Sequence, residues 1–279
     1  MLSLLGGKAD KPFLIGPSPH LSATHSTRKI MWGMVGALLP IWFASLLFFR
    51  WDALKVSVLI FGSAACFESL SQISIGKKVC LQDGSTILTA MLLTFLLSPT
   101  TPWQLILVGS FVSIVIGKEM LGGLGQNIFH PALAGYLTLV LLFPDEMNQA
   151  KLLGGANLFP ILISAVILVI KKWISWEASL FYLAVVGGGS FLFGRPFQSE
   201  VLNESIFLCA FLFVTDWVTT PVTKKGRILF AIGAGILTVT FRTWMGFTQA
   251  AAISIFLMNA LTPWIDRLLR PHFRKARQS

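Results

Sequence analysis

The sequence predicts an all-α polytopic membrane protein with about ten transmembrane helices, several of them short or broken. Three observations carry that prediction. Hydrophobic residues make up 54% of the 279 and charged residues only 12%, at a mean hydropathy of +0.75; a soluble domain carries about twice that charge. Apolar runs recur along nearly the whole chain, which favours helices over the weaker alternating pattern of a barrel. Charge is also distributed unevenly. With ten spans and the N-terminus inside, seventeen of the 22 Lys and Arg fall in inner loops and only Arg50, Lys55, Lys151, Arg195 and Arg242 in outer ones. Both termini are therefore expected in the cytoplasm.

Residues 1–28 form a polar N-terminal arm with Pro12, Pro17 and Pro19, ending in a Ser/Thr-rich helix start. Its apolar patches are short and interrupted by Lys8 and Lys11, so no signal peptide is expected. A single transmembrane domain covers 29–268, and 269–279 is a basic tail. Apolar runs lie at about 29–49, 54–75, 85–98, 103–121, 131–143, 152–170, 174–193, 202–216, 227–241 and 247–264. The runs at 85–98 and 131–143 are shorter than the ~20 residues that cross a bilayer core. Beside Gly, Pro and polar residues they read as half-helices lining a buried cavity.

A faint repeat divides the domain. The TTP of Thr100–Pro102 recurs at Thr219–Pro221, and at an offset of 124 Gly109 matches Gly233, Lys118 matches Arg242 and Gly122 matches Gly246. Repeat one covers about 29–143 and repeat two about 152–264. Five spans per half is an odd number, so the halves are expected to be inverted, with a site at their interface.

Gly117–Tyr136, GKEMLGGLGQNIFHPALAGY, is the chief site candidate. Gly122, Gly123 and Gly125 allow close backbone approach, Asn127 and His130 offer hydrogen-bonding groups, and Pro131 suits a helix restart. Its counterpart is Val214–Arg227, where Asp216 sits among Thr215, Thr219, Thr220 and Thr223. Asp216 is either a site acid or a helix cap; Asp83, in LQDGSTILT, has the same two readings, and the helix-start pattern favours the cap. Glu68 is either an ion ligand or a partner for Ser71, Gln72 or another subunit. Tryptophans such as Trp51, Trp103, Trp173, Trp176 and Trp264 mark span ends.

Several function classes drop out. A net charge of +10 invites nucleic acid, but no basic stripe is interleaved with aromatics. Cys66, Cys80 and Cys209 are far apart, which argues against a zinc or iron–sulfur site made by this chain alone. No metal-ligand spacing, nucleophile–base arrangement or phosphate-binding loop emerges, so no catalytic residue is assigned. Transporter, channel and redox subunit remain open on the residues alone.

Several motifs together resemble one family: SPHLSATHSTRKIM at 18–31, DGSTILTAMLL at 83–93, GKEMLGGLGQNIFHPALAGY at 117–136, TDWVTTPVTKKGRILF at 215–230 and FLMNALTPWID at 256–266. In order from about residue 17 to 268, they are similar to the D subunit of the Rnf electron-transport complex and the related B subunit of sodium-pumping NADH:quinone reductase. The resemblance implies a bacterial inner-membrane protein with a urea-transporter-like fold. It also implies flavin (riboflavin or FMN), and partner subunits in a ferredoxin- or NADH-linked complex that moves sodium or protons. The flavin pocket would use Gly122, Gly123, Gly125, Asn127 and His130, with Asp216 and Thr219 opposite.

The chain departs from the family pattern where one FMN is attached covalently to a threonine in S-G-A-T. Here Gly154–Asn157 reads GGAN, so Asn157 stands at the attachment position. A phosphoester needs a hydroxyl and an amide supplies none, which leaves non-covalent flavin. The segment that follows in the family is missing, TDW replaces TDP and FHP replaces FNP. The alternative is a redox-inactive paralogue serving as an assembly scaffold or as an ion or small-solute transporter.

Overall fold

A computed structural model describes residues 27–77, 79–147, 152–242 and 247–269. The expected arm up to residue 26, the tail from 270 and the Gly246 of the repeat lie outside the described residues. Every regular element among them is helical.

The first, α1 (Thr27–Ser74), has 48 residues, and as a straight rod would be about 72 Å long. It is not a rod. Arg50 sits at φ 48, ψ −120, and Trp42 Nε1 donates to Ser57 Oγ at 3.0 Å. Residues fifteen apart in a straight helix are about 22 Å apart, so α1 doubles back at Arg50 as a hairpin. Its two arms are the expected runs at 29–49 and 54–75.

A 3₁₀ turn, Leu81–Asp83, leads into α2 (Ser85–Leu96). Asp83 Oδ1 accepts from the Ser85 N–H and from Ser85 Oγ, both at 2.9 Å, so Asp83 caps. At 12 residues α2 is about 18 Å long, roughly half a bilayer core. Then come α3 (Trp103–Phe111), a π-helical turn over Val112–Glu119, and α4 (Pro131–Leu142), with Pro131 at the first turn as expected. The π turn was not predicted; such bulges are common at functional sites.

A short α5 (Pro144–Met147) precedes α6 (Leu158–Ile170) and α7 (Trp176–Leu192). The expected run at 152–170 turns helical only at Leu158. Before that, the Leu153 N–H donates to Leu97 O at 2.8 Å and the Gly154 N–H to Phe95 O at 3.1 Å. A Cβ at Gly154 would lie 2.5 Å from Leu208 Cδ1, so the segment between the halves is seated on the end of α2. The run at 202–216 divides into α8 (Phe197–Val201), α9 (Glu204–Leu212) and an irregular stretch. The chain closes with α10 (Lys224–Arg242) and α11 (Phe247–Leu269).

Glycines set the closest approaches. A Cβ at Gly109 would sit 2.8 Å from Leu139 Cδ1, and one at Gly233 would sit 2.7 Å from Met258 Cε. These two glycines are a matched pair at the offset of 124, and each seats a side chain of the next α-helix, α4 for Gly109 and α11 for Gly233. The interior holds Tyr136, Tyr182, Phe95, Phe213 and Phe230 fully buried. Outside, Leu192 is 84% and Leu47 79% exposed, with Leu141, Ile170 and Phe191 similar. So large an apolar exterior suits hydrocarbon rather than water.

Candidate functional site

A cavity of about 70 Å³ lies where the two interrupted stretches meet. The first half supplies Lys118, Leu124, Asn127, His130 and Pro131, with Ser85, Leu88 and Thr89 of α2. The second half supplies Thr215, Asp216 and Val218, and Met31 and Met34 of α1 form a sulfur-containing wall. Two buried polar atoms at the cavity have no partner: Asn127 Oδ1 and His130 Nδ1. An unmet buried acceptor costs about 1–3 kcal/mol, so these atoms mark where a ligand or water is wanted.

His130 is held on both sides. Its ring stands edge-on to Phe213, centroids 4.9 Å apart. With the Asn259 amide oriented to satisfy both of its ends, Asn259 Oδ1 accepts from the His130 backbone N–H at 3.2 Å and its NH₂ donates to Ile255 O at 3.3 Å. Asn259 is wholly buried on α11, in the FLMNALTPWID motif. A residue of the second half thus positions the key loop of the first.

Asp216 lines the cavity and closes the turn that follows it; no helix starts there for it to cap. Its Oδ2 accepts from the Thr219 N–H at 3.1 Å and Thr219 Oγ1 at 2.8 Å. Thr219 does not reach the cavity wall; it aims Asp216, and its own carbonyl accepts from Thr262 Oγ1 of α11 at 2.9 Å. Further along, the Val222 N–H donates to Asp266 Oδ1 at 3.0 Å.

Gly122, Gly123 and Gly125 also stand away from the cavity lining. Their φ values of 118, 96 and 84 are those that glycine adopts without strain. They shape the turn that delivers Asn127, rather than the wall itself. Asn157 lies elsewhere, exposed at the start of α6, where its Oδ1 accepts from the Phe159 N–H at 3.0 Å. It caps that helix.

The sequence reading underrated Lys118 and left Glu68 open. Lys118, counted among inner-loop charges, is 3% exposed. Its Nζ lies 2.9 and 2.8 Å from the two Glu68 carboxylate oxygens and donates to Ser85 Oγ at 2.8 Å. Gln72 Nε2 donates to Glu68 Oε1 at 3.0 Å, and Thr86 Oγ1 donates to Oε2. Glu68 therefore meets Gln72 as expected, but its main partner is Lys118, fifty residues on. The signal was available: an acid inside one apolar run and a base ending another have to find each other. At the matching place in the second half, Arg242 pairs with Glu200.

Among the described residues no group of three His, Cys, Asp or Glu is arranged to hold a metal. The arrangement is a small polar chamber, flanked by a saturated ion pair, with unmet groups from a helix break.

Comparison with known proteins places the chain in a family. The NQR2, RnfD, RnfE family model matches residues 14–153 and 148–275, in two pieces that meet beside Gly154–Asn157. The chain is 30% identical to the D subunit of the Na(+)-translocating ferredoxin:NAD(+) oxidoreductase complex of Acetobacterium woodii, covering 92% of this chain and 93% of the relative. It is also 30% identical to the D subunit of the Proton-translocating ferredoxin:NAD(+) oxidoreductase complex of Clostridium ljungdahlii, covering 93% and 95%. The D subunit of the Ion-translocating oxidoreductase complex of Methanosarcina acetivorans matches at 30% identity over 91% and 94%. With two matched stretches that together cover nearly all of its length, the chain belongs to the NQR2, RnfD, RnfE family.

Proposed function

We propose that this chain is the D-type membrane subunit of an Rnf-like complex, working with other subunits that bring electrons in and take them out. In this reading it lies in the bacterial cytoplasmic membrane with both termini inside, and its halves are inverted repeats on a urea-transporter-like plan. The matched glycine seats at Gly109 and Gly233, and the paired Lys118–Glu68 and Arg242–Glu200 bridges, support the repeat. The bilayer and the neighbouring subunits cover the apolar exterior.

The cofactor of this reading is a non-covalent flavin, riboflavin or FMN, at the cavity between the halves. The observation that carries it is the pair of unmet buried atoms, Asn127 Oδ1 and His130 Nδ1, on residues that line the chamber together with Asp216. Their chemistry fits the donor and acceptor edge of a flavin ring. The volume does not fit: about 70 Å³ is far below the ~300–1,000 Å³ of typical ligand pockets. Binding in this reading therefore displaces the Gly122–Asn127 segment, and its three positive-φ glycines are the natural pivots. When bound, a flavin supplies one- and two-electron transfer, while the protein positions it and tunes it. Asn157 offers no hydroxyl, so covalent FMN is not part of the proposal.

A visible spectrum taken before and after acid precipitation tests this. Yellow colour released to the supernatant is expected; colour that stays with the protein defeats the non-covalent reading. A protein isolated with its partners that has no flavin at all defeats the flavin reading altogether. The same small volume favours a second reading, a scaffold or an ion or small-solute passage without redox function. A chamber of about 70 Å³ is large enough to hold ordered water.

A further inference from the structure

A second cavity, about 490 Å³, opens between the α6–α7 turn and the start of α10. It shares only Ile174 with the chamber described above, and no candidate site residue lines it. Its size falls within the range of ligand-binding pockets. Lys172, Ser175, Trp176, Glu177, Trp217 and Arg227 supply its polar and aromatic lining.

The charges do not cancel. Glu177 is engaged by Lys224, whose Nζ lies 2.6 Å from Oε1. That leaves the Lys172 ammonium and the Arg227 guanidinium as net positive charge at the cavity. Arg227 spends one nitrogen on the Val222 carbonyl, at 3.2 Å, while its Nε is buried without a partner. Ser175 Oγ, at the head of α7, is likewise buried and unpartnered. The Arg227 guanidinium, the Ser175 hydroxyl and the Lys172 ammonium belong to residues that line one space, and groups of these kinds are the donors a phosphate oxygen accepts from. The first turn of α7, a 17-residue helix, adds its positive dipole end.

The rest of the wall is apolar or amphipathic. Val169 and Ile174 line one side, and Trp176 and Trp217 are half-exposed, as residues at a membrane–water boundary are. Ile170, next along α6, is 71% exposed on the apolar exterior. A ligand lying here has its charged group among Lys172, Ser175 and Arg227 and its apolar part along α6.

We propose that this cavity is a binding site for the phosphate headgroup of an anionic phospholipid. Basic pockets between transmembrane helices bind such headgroups. The proposal depends on membrane placement but not on flavin: loss of lipid binding leaves the colour test untouched, and the converse holds.

Native mass spectrometry of the full-length protein in detergent tests it, with phosphatidylglycerol and phosphatidylcholine of identical acyl chains as probes. Two basic side chains correspond to a preference of about thirtyfold for phosphatidylglycerol. The Lys172→Gln/Arg227→Gln double variant is expected to reduce that preference to about twofold or less, and Lys77→Gln, at a remote inner loop, to leave it unchanged. If the double variant does not fold, Lys172→Gln alone, on an exposed side chain, is expected to remove about fivefold. Equal retention of the two lipids, or a preference that survives these changes, overturns the proposal. If a water-soluble phosphodiester binds as tightly as phosphatidylglycerol, the site takes a soluble phosphate and the lipid assignment fails. Lipid lost whenever partner subunits are present assigns the cavity to a protein segment instead, and also overturns it.

Discussion

Lys118 Nζ lies 2.8 Å from Glu68 Oε2, with both side chains at or below 3% exposure. The pair ties the second arm of α1 to the π-helical turn, directly beside the cavity. Both partners are buried, so removing either strands a charge. Glu68→Gln or Lys118→Met alone should destabilise by about 3–5 kcal/mol, and the double change by much less. Thermal melting of the four proteins in detergent, read as a double-mutant cycle, checks this. Additive losses would show that the charges stand independently.

Close helix contact at Gly135 gives a second expectation. A Cβ there would collide with the Gly109 carbonyl and come within 2.9 Å of Ser113 Cβ. Gly135→Ala should lower stability by about 1–3 kcal/mol. Gly188 has nothing within 4 Å of the added carbon, and Gly188→Ala in mid-helix should raise stability by about 0.5–1 kcal/mol. Melting points moving the same way in both variants would refute the contact.

Asn157 tests capping against cofactor chemistry. Asn157→Ala removes the bond from the Phe159 N–H and should cost about 1 kcal/mol of stability. Retention of any acid-releasable flavin should not change. A loss of flavin without a loss of stability would move the cofactor to this outer position.

Cysteines report orientation. Cys80 is exposed beside Lys77, Cys66 is exposed on the apolar flank of α1, and Cys209 is buried. A charged, membrane-impermeant maleimide should label Cys80 in inside-out vesicles and not in intact cells. In the proposed placement Cys66 lies against hydrocarbon and should resist the reagent in both. Labelling of Cys80 from outside would invert the assigned topology.

Much of the fold was legible because lipid imposes a simple rule: spans must be apolar and backbone groups must pair within them. The gap between the runs at 29–49 and 54–75, the cap at Asp83 and the restart at Pro131 were legible locally, and all three are found; the positive φ at Arg50 that makes the gap a sharp turn was not. The site was legible only in part. Asn127, His130 and Asp216 meet, because unsatisfied polar groups in an apolar chain have few places to go. Thr219 and the glycines belong one step back, as supports, and composition cannot distinguish a wall residue from its support. Lys118–Glu68 and His130–Asn259 were missed because both join residues far apart along the chain.

The two bonds from α11, Asn259 to the His130 backbone and Thr262 to the Thr219 carbonyl, lie one helical turn apart on one face. They pin both interruptions to the same rigid strut. A transporter that works by rocking one half against the other would have to break the Asn259–His130 bond, the one of the two that joins the halves, in each cycle. Here α11 holds the first-half interruption at His130 against the second-half one at Thr219, so a local movement of the Gly122–Asn127 loop opens the space between them while both bonds stay made.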